Sequence, residues 1–130
     1  MSNIVPGVSL TPLCFPDITS KTTRLFATVN FGYGLNYTTG GIPAGLLAFA
    51  DANTVNADGF LYADVWDENV QGTTVYTFYY VPATDRLQIY SQTNAADLAE
   101  LTNGAVLPTY LLTDASIVLE AAWNRTEFNG

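Results

Sequence analysis

Residues 73–92, TTVYTFYYVPATDRLQIYSQ, decide the fold class. Pairing Val81 with Arg86 across residues 82–85 sets Tyr80 opposite Leu87, Phe78 opposite Ile89 and Tyr76 opposite Ser91. Side chains alternate across a strand, so Tyr76, Phe78, Tyr80, Leu87 and Ile89 fall on one face of this hairpin and need a core. The opposite face carries Val75, Thr77, Tyr79, Val81, Arg86, Gln88 and Tyr90, an apolar set for a surface left in water.

Outward from the hairpin, residues 22–32 alternate, with Leu25, Ala27, Val29 and Phe31 pointing one way and Arg24, Thr28 and Asn30 the other; Phe26 breaks the pattern. Residues 60–66 read as a strand with Phe60, Tyr62, Asp64 and Trp66 on one face and Leu61, Ala63 and Val65 on the other. The closing strand spans about 115–124, with Ile117, Leu119, Ala121 and Trp123 facing the core. Residues 44–51 fit a short helix or a buried strand. Residues 51–59 read as a loop, and residues 95–102 as a short helix capped by Asn94 and ended by Gly104. Short strands broken by Gly, Pro and Asn turns predict a mainly β chain: an antiparallel sandwich or small barrel with one short helix.

Residues 1–20 form an extended N-terminal arm ahead of a single β-rich domain, residues 21–130. Pro6, Pro12 and Pro16 break the arm's pairing, yet it carries Ile4, Val5, Val8, Leu10, Leu13 and Phe15. Two readings bury those side chains: an edge strand on the chain's own domain, or an arm docked on another subunit.

The 130 residues suit one domain, and 12% charged residues lie well below the roughly 25% of ordinary soluble domains, so part of the surface is expected to be covered by a partner. The net charge is −8 and the four basic residues, Lys21, Arg24, Arg86 and Arg125, are scattered, which argues against nucleic-acid binding. No run approaches the roughly 20 apolar residues of a membrane span, and the N-terminus lacks signal-peptide features, so folding in a cytoplasm is expected.

With no histidine and one cysteine, serine–histidine catalysis and a zinc site are not expected, and no intrachain disulfide can form. Cys14, between Leu13 and Phe15, reads as a small buried hydrophobe. Asp64, Asp67 and Glu68 read as an acidic turn after a strand rather than a catalytic pair. Tyr33, Tyr37, Tyr79, Tyr90 and Trp66 are candidates for a sugar-stacking platform. No catalytic residue, metal ligand or cofactor is assigned.

Four segments occur in a particular order: Thr38-Thr39-Gly40-Gly41-Ile42-Pro43; Thr77-Phe78-Tyr79-Tyr80 with a short turn holding Asp85; Leu87-Gln88-Ile89-Tyr90; and Ala99-Glu100-Leu101-Thr102-Asn103-Gly104. Over roughly residues 37–123 the chain resembles capsid decoration, or cement, proteins of tailed bacteriophages. It departs from their pattern at Tyr80-Val81-Pro82, where an aromatic-Asp step is usual, and across residues 44–72. The resemblance implies a virion protein assembled in the host cytoplasm. It would bind the outer surface of the head as a homo-oligomer, a trimer before a dimer, with the major capsid protein as partner. Ile4, Val5, Val8, Leu10, Leu13, Phe15, Val75, Tyr79, Val81 and Tyr90 are then the candidate interface residues. The alternative is a carbohydrate- or receptor-binding module of a phage fibre or tail.

Overall fold

The computed structural model describes residues 8–14, 16–18, 22–32, 35–52, 59–69, 74–93 and 97–124, with residues 51 and 52 as backbone only. The elements are β1 (Val8–Pro12), β2 (Asp17–Ile18), β3 (Thr22–Phe31), β4 (Ile42–Pro43), α1 (Leu46–Ala52), β5 (Phe60–Asp67), β6 (Thr74–Val81), β7 (Arg86–Thr93), β8 (Ala99–Glu100), α2 (Thr109–Thr113) and β9 (Ile117–Asn124). One antiparallel sheet has the order β1-β3-β9-β5, with β2 also on β3. The other has the order β4-β7-β6, with β8 also on β7. The result is a sandwich-like pair of sheets, not a closed barrel.

The core forms between the inner faces. Leu25, Ala27, Val29 and Phe31 on β3 and Ile117, Leu119, Ala121 and Trp123 on β9 meet Ile42, Phe78, Leu87 and Ile89 of the second sheet. Strand β9 lies between β3 and β5, which explains why its outward Val118 and Ala122 are buried as well. The hairpin pairs as its sequence predicts, from Val81↔Arg86 to Tyr76↔Ser91, and its predicted inner face is the buried or half-buried one.

Four expectations are corrected. First, Phe60 does not share a face with Tyr62, Asp64 and Trp66. The β5–β9 register shifts between Phe60 and Tyr62, and a bulge turns one residue out of the alternation. Phe60 therefore packs inward, its ring 5.7 Å from those of Tyr80 and Trp123, while Leu61 is exposed. Second, the helix expected over 95–102 is absent among its described residues: Ala99 and Glu100 pair with Ser91 and Tyr90 as β8, and Leu101 N–H donates to Ile89 O at 3.0 Å. Tertiary pairing outweighs local helix propensity there; Asn94, the expected cap, lies outside the described residues. Third, Cys14 is exposed, in a bend just past the end of β1. Fourth, the arm is not poorly paired over its described part. β1 and β2 both add to one edge of β3, which is the edge-strand reading.

That edge accommodates its proline. Leu13 N–H donates to Phe26 O at 2.9 Å, so by alternation Thr11 and Ser9 also turn their amides toward β3. Pro12 sits where the missing N–H would face away from the sheet.

The ambiguous 44–51 segment is helical. Leu46, Phe49 and Ala50 are buried at helical spacing, and Asp85 Oδ1 accepts Leu46 N–H at 3.1 Å at the start of α1. A second helix, α2, follows Pro108 and buries Leu111.

Candidate interaction surface

The outer face of β6 and β7 is built by the same alternation that makes the core. Val75 and Tyr79 are 43% and 49% exposed, with Thr77, Val81, Arg86, Gln88 and Tyr90 half-buried around them. No second layer covers this face among the described residues. The Tyr79 and Tyr90 rings meet edge to face, with centroids 5.3 Å apart at 86°. The polar groups bond sideways: Arg86 donates to Gly41 O at 2.7 Å, Gln88 Nε2 to Gly40 O at 3.4 Å and Tyr90 Oη to Gln88 Oε1 at 3.2 Å.

Those bonds tie the face to the Thr38–Pro43 turn. Gly41 N–H donates to Thr38 O at 2.9 Å, closing the turn, and Gly40 N–H donates to Glu100 Oε2 at 2.8 Å. Tyr37 Oη donates to the same Glu100 oxygen at 2.5 Å and accepts Ile89 N–H at 3.2 Å. Asn103 Oδ1 accepts Thr39 N–H at 3.0 Å. Gly41 is obligatory by packing: with φ +114°, an added Cβ would lie 2.9 Å from Leu87 O. Three of the four segments quoted from the sequence, 38–43, 87–90 and 99–104, therefore meet around one turn, and the fourth, 77–80, lies beyond β7 as its other neighbour.

Two aspartates fasten the fold beside Glu100. Asp85 Oδ1 accepts Tyr80 Oη at 2.6 Å, bracing the hairpin against α1. Asp67 Oδ1 accepts the Asn69 and Ser116 amides at 2.9 and 3.0 Å. Its Oδ2 accepts Tyr110 Oη at 2.5 Å, and the Asn69 carbonyl also touches that hydroxyl. Burial, then the hydrogen bond to a carboxylate, raises the pKa of Tyr37 and Tyr80, and the same causes push Tyr110 up to about 12. Among the described residues no three His, Cys, Asp or Glu side chains converge on a metal site, and no helix is long and apolar enough to cross a membrane.

The outer face of the other sheet is different in kind. Tyr62 and Trp66, each 37% exposed, flank Asp64, which is opposite Glu120. Glu120 Oε2 accepts Tyr62 Oη at 2.8 Å and lies 3.8 Å from Arg24, whose other ion pair is with Asp17 at 2.9 Å. Trp66 Nε1 donates to Glu68 at 3.3 Å.

Of the predicted interface residues, Val75, Tyr79, Val81 and Tyr90 come together on the one face. Leu13 is 52% exposed at the edge of the other sheet, while Val8 and Leu10 are half-buried against the core. Ile4, Val5 and Phe15 lie outside the described residues, as does Tyr33 of the sugar-platform set. Tyr37 is 1% exposed, which removes it from any such platform. The sideways bonds of Arg86 and Gln88 have no local sequence signal, because their partners lie more than 40 residues away. No family model matches the chain, and neither a curated protein nor a solved structure matches it.

Proposed function

We propose that this chain is a non-enzymatic assembly protein: a capsid decoration protein of a tailed bacteriophage that binds the outer surface of the assembled head and stabilises it. The observation that carries the reading is the outer face of β6–β7, where Val75 and Tyr79 are exposed beside Tyr90 and Val81 on a rigid, internally braced hairpin. Three of the described carboxylates support it as well. Asp67, Asp85 and Glu100 are occupied in fastening turns and helices, which leaves the chain suited to adhesion. The mechanism is mass action. A protein that binds the closed shell and not its opened subunits adds about 2.7 kcal/mol per site at a concentration about 100-fold above Kd.

The test uses shells of the cognate major capsid protein lacking this chain. Added protein is expected to cosediment with them and to raise their opening temperature, and Tyr79→Glu on the β6–β7 face is expected to lower occupancy. Binding to a glycan array without cosedimentation would overturn the reading in favour of a carbohydrate module on a fibre or tail.

A further inference from the structure

Asparagine precedes glycine at residues 103–104 and 129–130, and the first of these pairs belongs to the segment that holds the Thr38–Pro43 turn. Residues 129–130 lie outside the described residues. Asn-Gly is a chemically labile pair, because glycine has no side chain to shield its backbone nitrogen from the asparagine side-chain carbon. Residues 102–106 are exposed to water. Ala105 N–H donates to Thr102 O at 3.1 Å and closes a four-residue turn, with Gly104 at φ +84°. Positive φ at the third residue alone is the type II pattern, which favours glycine there.

Both reacting groups are held by residues 37–39. Gly104 N–H donates to Tyr37 O at 2.7 Å, and Tyr37 N–H donates to Ala105 O at 2.8 Å. Asn103 Oδ1 accepts Thr39 N–H at 3.0 Å. We propose that Asn103 is a self-modification site, deamidated through its own Gly104 nitrogen at a rate set by the opening of residues 37–39 from residues 103–105. In the opened turn a solvent base takes the Gly104 amide proton and the nitrogen bonds to Asn103 Cγ. The Cγ–Nδ2 bond breaks, and the side-chain nitrogen leaves as ammonia with a proton from water. Water then opens the cyclic imide at either carbonyl, giving aspartate or isoaspartate at position 103. Water is the only co-reactant.

The two products differ in what they keep. Aspartate still offers a carboxylate oxygen to Thr39 N–H, so the turn survives it. Isoaspartate routes the main chain through the side chain and lengthens it by a methylene, so Gly104 N–H and Ala105 N–H can no longer reach Tyr37 O and Thr102 O together. That change frees the segment that braces the Thr38–Pro43 turn, and it accumulates with the age of the molecule. Hydrogen exchange at the Gly104 amide needs the same proton removed by base after the same opening, so the fold slows both reactions by one factor. The inference needs no shell, and its failure is separate from that of the proposed function.

The test incubates the full chain in mildly alkaline buffer, folded and in guanidinium, and follows Asn103 by peptide mapping and mass spectrometry. Deamidation is expected to be slower in the folded chain by about tenfold or more, and the ratio is expected to match the Gly104 exchange protection measured by NMR to within about threefold. Tyr37→Phe, which loosens the turn through Glu100, is expected to speed both reactions of the folded chain by the same factor. Gly40→Ala takes its place should that variant not fold. A folded chain that deamidates at Asn103 as fast as the unfolded one overturns the inference. So does an unfolded chain in which Asn103 stays intact, or a variant that speeds Gly104 exchange without speeding deamidation.

Discussion

Tyr37→Phe isolates the hydroxyl that ties the segment before the Thr38–Pro43 turn to β7 and β8. The ring is 1% exposed, and phenylalanine keeps its packing, so no cavity opens. Two hydrogen bonds are lost: the 2.5 Å donation to Glu100 and the 3.2 Å acceptance from Ile89 N–H. A bond to a charged group contributes about 1.5–3 kcal/mol, and a buried amide left without an acceptor costs about 1–3 kcal/mol. Ile89 is fully buried and no water reaches its amide, whereas Glu100 is only half-buried and keeps Gly40 N–H at 2.8 Å. Rehydration of Glu100 recovers part of the loss, so the expected destabilisation is about 2–4 kcal/mol, a large share of the roughly 5–15 kcal/mol of a typical domain. Urea unfolding measures it as a lower midpoint at unchanged slope. A double-mutant cycle with Glu100→Gln should return a coupling of about 1–3 kcal/mol, and amide exchange should accelerate first at Gly40 and Ile89. A loss below about 0.5 kcal/mol, or zero coupling, would refute the claim that this hydroxyl fastens the turn to the sheet.

Gly41→Ala is expected to destabilise more than Gly40→Ala. Both have positive φ, +114° and +95°, but only at Gly41 does the new Cβ meet backbone, 2.9 Å from Leu87 O and 3.0 Å from Leu87 C. Gly40→Ala should cost about 1–2 kcal/mol of backbone strain; equal melting points for the two variants would sink the steric argument. Stability should also fall in alkali. Tyr37, Tyr80 and Tyr110 have folded pKa values raised above 10.0, so the native state keeps protons that the unfolded chain releases. Their contribution is full below pH 10 and is lost as pH rises through the raised values, by at most about 1.4 kcal/mol per pH unit for each tyrosine. Thermal melts that stay level above pH 10 would contradict the tyrosine–carboxylate fastenings.

The hairpin was legible because everything that fixes its register is local: alternation over two eight-residue strands and a four-residue turn. The same holds for the inner faces of β3 and β9. The helix α1 was within reach, since Leu46, Phe49 and Ala50 already stand at helical spacing. What was not legible depends on distant partners. Ala99 and Glu100 have good local helix neighbours, but β7 offers a free edge, and Glu100 has Tyr37 and Gly40 to bind. Strict alternation at Phe60 failed through one inserted residue, and no local feature of FLYADVW announces a bulge. The outer hairpin face was legible as apolar. Its exposure was not, because that depends on whether another layer of the same chain covers it.

The turn and the exposed face are one mechanical unit. Glu100, Tyr37 and Gly40 hold the Thr38–Pro43 turn, and the turn's carbonyls hold Arg86 and Gln88 flat along β7. Long side chains that are already bonded in the free molecule lose less rotamer entropy when a partner covers them, where each one immobilised otherwise costs about 0.5–1.5 kcal/mol. Tyr79 and Tyr90, braced by their edge contact, gain in the same way. The turn and the Tyr37–Glu100 pair therefore brace a surface that lies beside them. Weakening the turn through Tyr37→Phe should loosen association at Tyr79 even though Tyr37 itself remains buried.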